Sequence, residues 1–143
     1  MSPLSPYLFF AGRCEEAIAF YEQSLGAKLQ MKMKFNESPE PIPPGRLQSG
    51  FESKIMHASL VVNGAVLMLS DGCDDRSSFE GFQLALQYAT EEAARNAFAG
   101  LSTGGTVELP MTKTFWSPCY GMVTDKFKVG WMVMVPGPQP PSV

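Results

Sequence analysis

The strongest constraint on this chain is a helical signature that occurs twice. Glu15-Glu16-Ala17 opens a stretch that continues through Phe20-Tyr21 to Leu25-Gly26, and Glu91-Glu92-Ala93 opens a second. Leu101 stands to the second copy as Leu25 stands to the first, and Gly104-Gly105 follows much as Gly26 does. Apolar residues in both recur at spacings of three and four, the period of a helix with one face to bury. Each copy lies between a short apolar run and a run of strand character. Two copies of one strand–helix–strand unit occupy most of the 143 residues, so duplication decides the architecture. A pair of like units also predicts a site formed by both.

The runs between the helices fill in the rest. Pro3 to Phe10 reads as a strand, Cys14 to Leu25 as the first helix, and Gly26 as its stop. Leu29 to Phe35 alternates, which places Leu29, Met31, Met33 and Phe35 on one face and Gln30, Lys32 and Lys34 on the other. Four prolines and two glycines forbid regular structure across 36–54, a long loop that is either a lid or a surface insertion. Asn63-Gly64 predicts a hairpin joining Ile55–Val62 to Ala65–Ser70. Gly81–Tyr88 is a further strand, and Thr90 is placed to cap the second helix. Thr106–Phe115 follows, with Pro110 marking an edge or a bulge. Tyr120–Thr124 and Gly130–Val135 close the set, and 137–143 is an extended tail. The predicted fold class is α+β: a single domain over 1–143 made of two βαβββ modules, about 3–72 and 81–136, forming a cupped mixed sheet. A ferredoxin-like order differs, and a Rossmann fold would need a GxGxxG turn that is absent.

Composition narrows function by exclusion. A net charge of −3 with no basic cluster predicts no nucleic-acid partner. No run is long and apolar enough for a membrane-spanning helix, so no membrane partner is expected either. Three scattered cysteines, Cys14, Cys73 and Cys119, suit reduced thiols in the cytoplasm better than a disulfide framework. One histidine and no CxxC make a structural zinc site improbable.

The two modules, the helix Ala17-Ile18-Ala19-Phe20-Tyr21 before Leu25-Gly26-Ala27, and the closing Asp125-Lys126-Phe127…Trp131 resemble the vicinal oxygen chelate superfamily. That superfamily includes glyoxalase I, extradiol dioxygenases and the bleomycin- and fosfomycin-resistance proteins. Ser5-Pro6-Tyr7-Leu8-Phe9-Phe10, Ile55-Met56-His57-Ala58, Leu69-Ser70-Asp71, Thr114-Phe115-Trp116 and Val123-Thr124-Asp125-Lys126-Phe127 resemble its PhnB-like branch. The branch is often catalogued as a demethylubiquinone methyltransferase, but no glycine-rich loop for S-adenosylmethionine is present, so methyl transfer is not carried over. The resemblance implies a cupped sheet from each module, a homodimer, and in metal-dependent relatives a His, Gln and Glu chelate on the first and last strands. Aligning the two helices places Pro6, Leu69, Gln83 and Met134 near those positions, and only Gln83 could coordinate. No cofactor is expected; were a divalent metal bound, His57 or Gln83 would be its ligand.

Single residues can then be weighed. His57 is a candidate general base, and Asp71, ending the next strand of the hairpin, a candidate to orient it. The plainer readings are a hydrogen-bonded strand histidine and an Asx-type turn. Tyr7, Phe9, Gln83, Phe115, Trp116, Tyr120, Trp131 and Met134 are candidates to line a pocket for a small hydrophobic or oxyanionic ligand, against simple core packing. Asp125 is expected to shape the turn before the last strand. Two readings follow, a small-molecule binding protein without the usual metal, or a glyoxalase-type lyase or isomerase that depends on metal or on His57 with Asp71.

Overall fold

The computed structural model describes residues 4–137. The chain divides into two compact units, Met1–Ser77 and Ser78–Val143. The first holds β1 (Tyr7–Phe9), α1 (Cys14–Leu25), β2 (Lys28–Lys34), β3 (Ile55–Val62) and β4 (Ala65–Ser70). The second holds β5 (Leu84–Gln87), α2 (Glu91–Ser102), β6 (Thr106–Thr112), β7 (Cys119–Thr124) and β8 (Gly130–Val135). Each unit is one mixed four-stranded sheet, in the orders β1-β4-β3-β2 and β5-β8-β7-β6. In both, the strand before the helix lies parallel to the last strand, and the remaining pairs are antiparallel. This is the βαβββ order, twice. The expected start of the first strand at Pro3 and most of the expected tail fall outside the described residues.

Register separates the two faces of each sheet, because residues directly opposite one another point the same way. In the first unit, Leu8, Leu69 and Ala58 form one row and Leu67 and Leu60 another. All five are buried. α1 covers this side with Cys14, Ala17, Ile18 and Tyr21. In the second unit the matching row is Leu86, Val133 and Gly121, covered by the Ala94, Ala97, Phe98 and Leu101 stripe of α2. Burial of these apolar rows supplies the main stabilisation of each unit.

The buried stripes correct the alignment of the two helices. Glu-Glu-Ala repeats in sequence, but the packed positions run Cys14, Ala17, Ile18, Tyr21 in one helix and Ala94, Ala97, Phe98, Leu101 in the other. The packed pattern lies one turn later in α2 than the sequence repeat suggests. A second correction concerns β2. A bulge between Leu29 and Met31 pairs Leu29 with Leu60 on the helix side and Met31 with Ser59 on the opposite face. The expected single apolar face of Leu29, Met31, Met33 and Phe35 is therefore broken by one residue, the usual effect of a bulge on alternation.

Turn chemistry follows the sequence. Asn63 (φ 47°) and Gly64 (φ 85°) both adopt the left-handed region that a type I′ hairpin requires. Thr90 caps α2 by accepting the N–H of Ala93 at 3.2 Å. The proline-rich loop is anchored at its base, where Phe51 is buried and Gln48 donates its N–H to the Cys73 carbonyl at 2.7 Å. It also frames a shallow cleft of about 300 Å³ bounded by Phe35, Ile42, Pro43, Pro44 and Leu47.

Candidate functional site

The face of each sheet that no helix of its own unit covers carries the candidate chemistry. In the first unit, register places Tyr7 and Phe9, Met68 and Ser70, Ser59 and His57, and Met31 and Met33 on this face. Tyr7 and Phe9 are 41% and 46% exposed, a large apolar surface to leave in water. Their rings lie 5.2 Å apart, and Tyr7 also lies 5.5 Å from the imidazole of His57. The Tyr7 hydroxyl and His57 Nδ1 share a 2.9 Å hydrogen bond. No other described residue bonds to the ring, so Nε2 remains for a ligand. Burial pushes the Tyr7 phenol above its ordinary pKa, partly offset by the Ser70 hydroxyl beside it, which keeps the group protonated.

His57 is thus held by Tyr7, and the expected pairing with Asp71 is not made. Asp71 is 1% exposed, and its carboxylate is committed to the backbone. Oδ1 accepts the N–H groups of Gly12 and Cys14, and Oδ2 accepts that of Ile55, each at 2.8 Å. A carboxylate placed there caps α1 from a distance, which explains why Arg13 at the N-cap position needs no capping side chain. Asp71 also sits beside Cys14, and burial first and that charge second hold the Cys14 thiol far above its usual pKa. A thiol so held is no nucleophile.

In the second unit the uncovered face holds Ala85 and Gln87, Met132 and Met134, Tyr120 and Met122. Tyr120 is T-stacked on Trp116 at 4.3 Å, so these two expected residues do come together. Met134 is on this face as expected, directly opposite Tyr120. Trp131 is not. It is 2% exposed on the helix side, and its indole N–H is donated to Asp125 at 2.9 Å. Asp125 also accepts the N–H groups of Phe127 and Val129, which fixes the turn into β8 as the sequence predicted. Phe115 is 97% exposed and lines nothing within its unit. Gln83 precedes β5, with its side chain against Gly130.

Sequence reasoning named Met134 but missed Gln87 and the other methionines of these faces. Alternation around Leu86 would have found Gln87, since Leu86 is buried and its neighbour on the strand must face the other way. Six of the nine methionines, Met31, Met33, Met68, Met122, Met132 and Met134, lie on the two uncovered faces. Flexible thioethers make an adaptable apolar lining.

Residues 4–133 match the family model of the Glyoxalase/Bleomycin resistance protein/Dioxygenase superfamily. The chain belongs to that superfamily. Within it, Protein YjdN of Escherichia coli (strain K12) is 39% identical over 144 residues, spanning 96% of this chain and 98% of the relative. The crystal structure of protein PA1353 from Pseudomonas aeruginosa is 36% identical with a TM-score of 0.79, over 96% of this chain and 100% of that one. A Bacillus cereus PhnB protein, described as a putative 3-demethylubiquinone-9 3-methyltransferase, shares the fold at 22% identity and a TM-score of 0.74, over 94% of this chain and 99% of that one. The Bacillus cereus protein carries the name of the branch that the sequence resembles, and at this identity it shows the shared fold.

Members of this superfamily that chelate a metal use the first and last strands of each module, so the fit of that group can be tested on residues. Register, not the helix repeat, gives the positions: Tyr7, Phe9, Met68 and Ser70 in one unit, and Ala85, Gln87, Met132 and Met134 in the other. Leu69, placed there by the helix alignment, is fully buried on the opposite face, and Pro6 and Gln83 precede their strands. None of the eight is a histidine or a carboxylate, and among the described residues no three His, Cys, Asp or Glu side chains gather. This donor set does not fit a hard divalent chelate.

Proposed function

We propose that this superfamily member binds a small hydrophobic or oxyanionic molecule on its uncovered sheet faces, without the chelated metal of its metal-dependent relatives. The observation that carries this reading is the Tyr7–Phe9–His57 cluster, an exposed aromatic surface with one polar group turned toward it. Met31, Met33 and Met68 surround it with side chains that reshape around a guest. We assign the protein to the cytoplasm on its free thiols and expect a homodimer from its family, which sedimentation would check.

Two tryptophans give a direct test in the full chain. Trp116 is partly exposed and stacked on Tyr120, whereas Trp131 is sealed against Asp125. Titration with small aromatic acids and apolar ligands should change the Trp116 emission and leave a Trp116→Phe variant nearly silent. No response to a broad ligand set, by fluorescence and calorimetry alike, would overturn the binding reading.

A second reading keeps one observation in its favour. His57 is half-buried, held through Nδ1, and has an uncommitted Nε2, the arrangement of a positioned acid–base group. Lyase or isomerase chemistry would require a turnover abolished in His57→Ala while ligand binding persists. Binding with no turnover in wild type would leave the first reading standing alone.

A further inference from the structure

We infer that Tyr7 locks His57 as a hydrogen-bond donor, so that the first unit's uncovered face selects ligands presenting an acceptor oxygen. The ligand class is a carboxylate, a phosphonate or a polarised carbonyl carried on an apolar body. This inference rests on the binding reading above and gives it a direction.

Tyr7 sets the direction, and its neighbour Ser70 is engaged with the backbone. The backbone N–H of Gly72 is given to Ser70 Oγ at 2.9 Å. Gly72 holds that N–H in place with a φ of 70°, and the Phe9 ring lies 3.3 Å from where a Cβ would stand. The Ser70 hydroxyl in turn donates its single hydrogen to the Ile55 carbonyl at 3.4 Å.

Tyr7 Oη lies 2.9 Å from His57 Nδ1. A phenol O–H is a far stronger acid than a neutral imidazole N–H, so the shared hydrogen belongs to the oxygen and Nδ1 accepts. Neutral imidazole with an accepting Nδ1 carries its hydrogen on Nε2. That nitrogen has no partner among the described residues. The Tyr7–His57 bond therefore leaves an Nε2 N–H facing the aromatic and methionine surface. Tyr7 acts through His57 and is a positioning residue.

The chain has a single histidine, so ring ¹⁵N resonances of the full-length protein report this group alone. At a pH of about 8.5, wild type should show the Nε2–H tautomer. Tyr7→Phe, a change at a partly exposed residue, should move the spectrum toward a mixture. Calorimetry with benzoate and phenylphosphonate, set against benzylamine of like size, should favour the two acids in wild type. Tyr7→Phe should weaken the acids about tenfold and leave benzylamine unchanged. His57→Gln, which keeps an amide N–H, should retain more acid affinity than His57→Ala. An Nδ1–H tautomer in wild type, or a preference for benzylamine, overturns the donor assignment. The Nε2–H tautomer with no probe bound in either series overturns the binding reading beneath it, and the selectivity with it.

Discussion

Asp71 and Asp125 are each 1% exposed, and each carboxylate accepts three N–H groups, yet they hold their units in different ways. Asp71 gathers distant pieces of chain: the turn after β1, the start of α1 and the start of β3. Asp125 accepts N–H groups from the turn that follows it and from the indole of Trp131 in β8. The uncovered faces differ in the same spirit. The first unit offers Tyr7 bonded to His57, and the second offers Gln87 and the Tyr120–Trp116 stack, while thioethers line both. One strand order thus supports two kinds of anchoring and two kinds of surface. The likeness lies in the backbone and the division of labour in a few polar side chains.

Removing the two aspartates is the hardest test of that contrast. Asp71→Ala leaves three N–H groups, two of them buried, without an acceptor and should cost on the order of 4 kcal/mol. Asp125→Ala should cost less, on the order of 3 kcal/mol, because the N–H groups of Phe127, Val129 and Trp131 come from one short stretch and the turn can relax. Urea denaturation gives the two values, and equal losses would break the comparison. Hydrogen exchange would sharpen it. Exchange should quicken in the first turn of α1 and at Ile55 for the former, and only around 124–131 for the latter.

A smaller effect separates the two helix-side rows. Ala58 and Gly121 occupy matching positions opposite Leu69 and Val133. A Cβ at Gly121 would meet Met111 Sδ at 2.6 Å and Phe98 Cε1 at 2.8 Å. Gly121→Ala should therefore destabilise by about 2 kcal/mol through overpacking. Ala58→Gly should cost about 1 kcal/mol for a lost methyl and a freer backbone. Melting curves that ranked the pair the other way would deny that α2 packs closer than α1.

The smallest expected difference is at the caps. Thr90→Ala should cost about 1 kcal/mol, because Thr90 itself accepts the Ala93 N–H. Arg13→Ala should stay within about 0.5 kcal/mol, since the α1 cap comes from Asp71 and the Arg13–Glu16 pair is exposed. A large loss at Arg13 would mean that the distant aspartate is not the effective cap.

What could be read in the sequence was local. The bounds Cys14–Leu25, Ile55–Val62, Ala65–Ser70 and Gly130–Val135 were legible, because glycine stops, an Asn-Gly turn and apolar periodicity act within a few residues. Pro110 marked an edge strand with an irregular register, and β6 is one. What failed depended on partners far along the chain. The β2 bulge inverts alternation only because of how β3 meets it, and Trp131 is withdrawn from the surface by Asp125. Asp71 lies next to a glycine, which reads as a turn, and nothing nearby reveals the N–H groups of Gly12, Cys14 and Ile55. Of the candidate site, His57, Tyr7, Phe9, Trp116, Tyr120 and Met134 were legible as residue types. Their grouping was not, since it follows from register.

The methionine lining has a consequence beyond fit. Peroxide converts an accessible thioether to a sulfoxide, adding a polar S–O bond and a new stereocentre where the surface was soft and apolar. Three such groups on each uncovered face make these surfaces sensitive to oxidants. Reductive repair of the sulfur would then return the original lining without resynthesis of the chain.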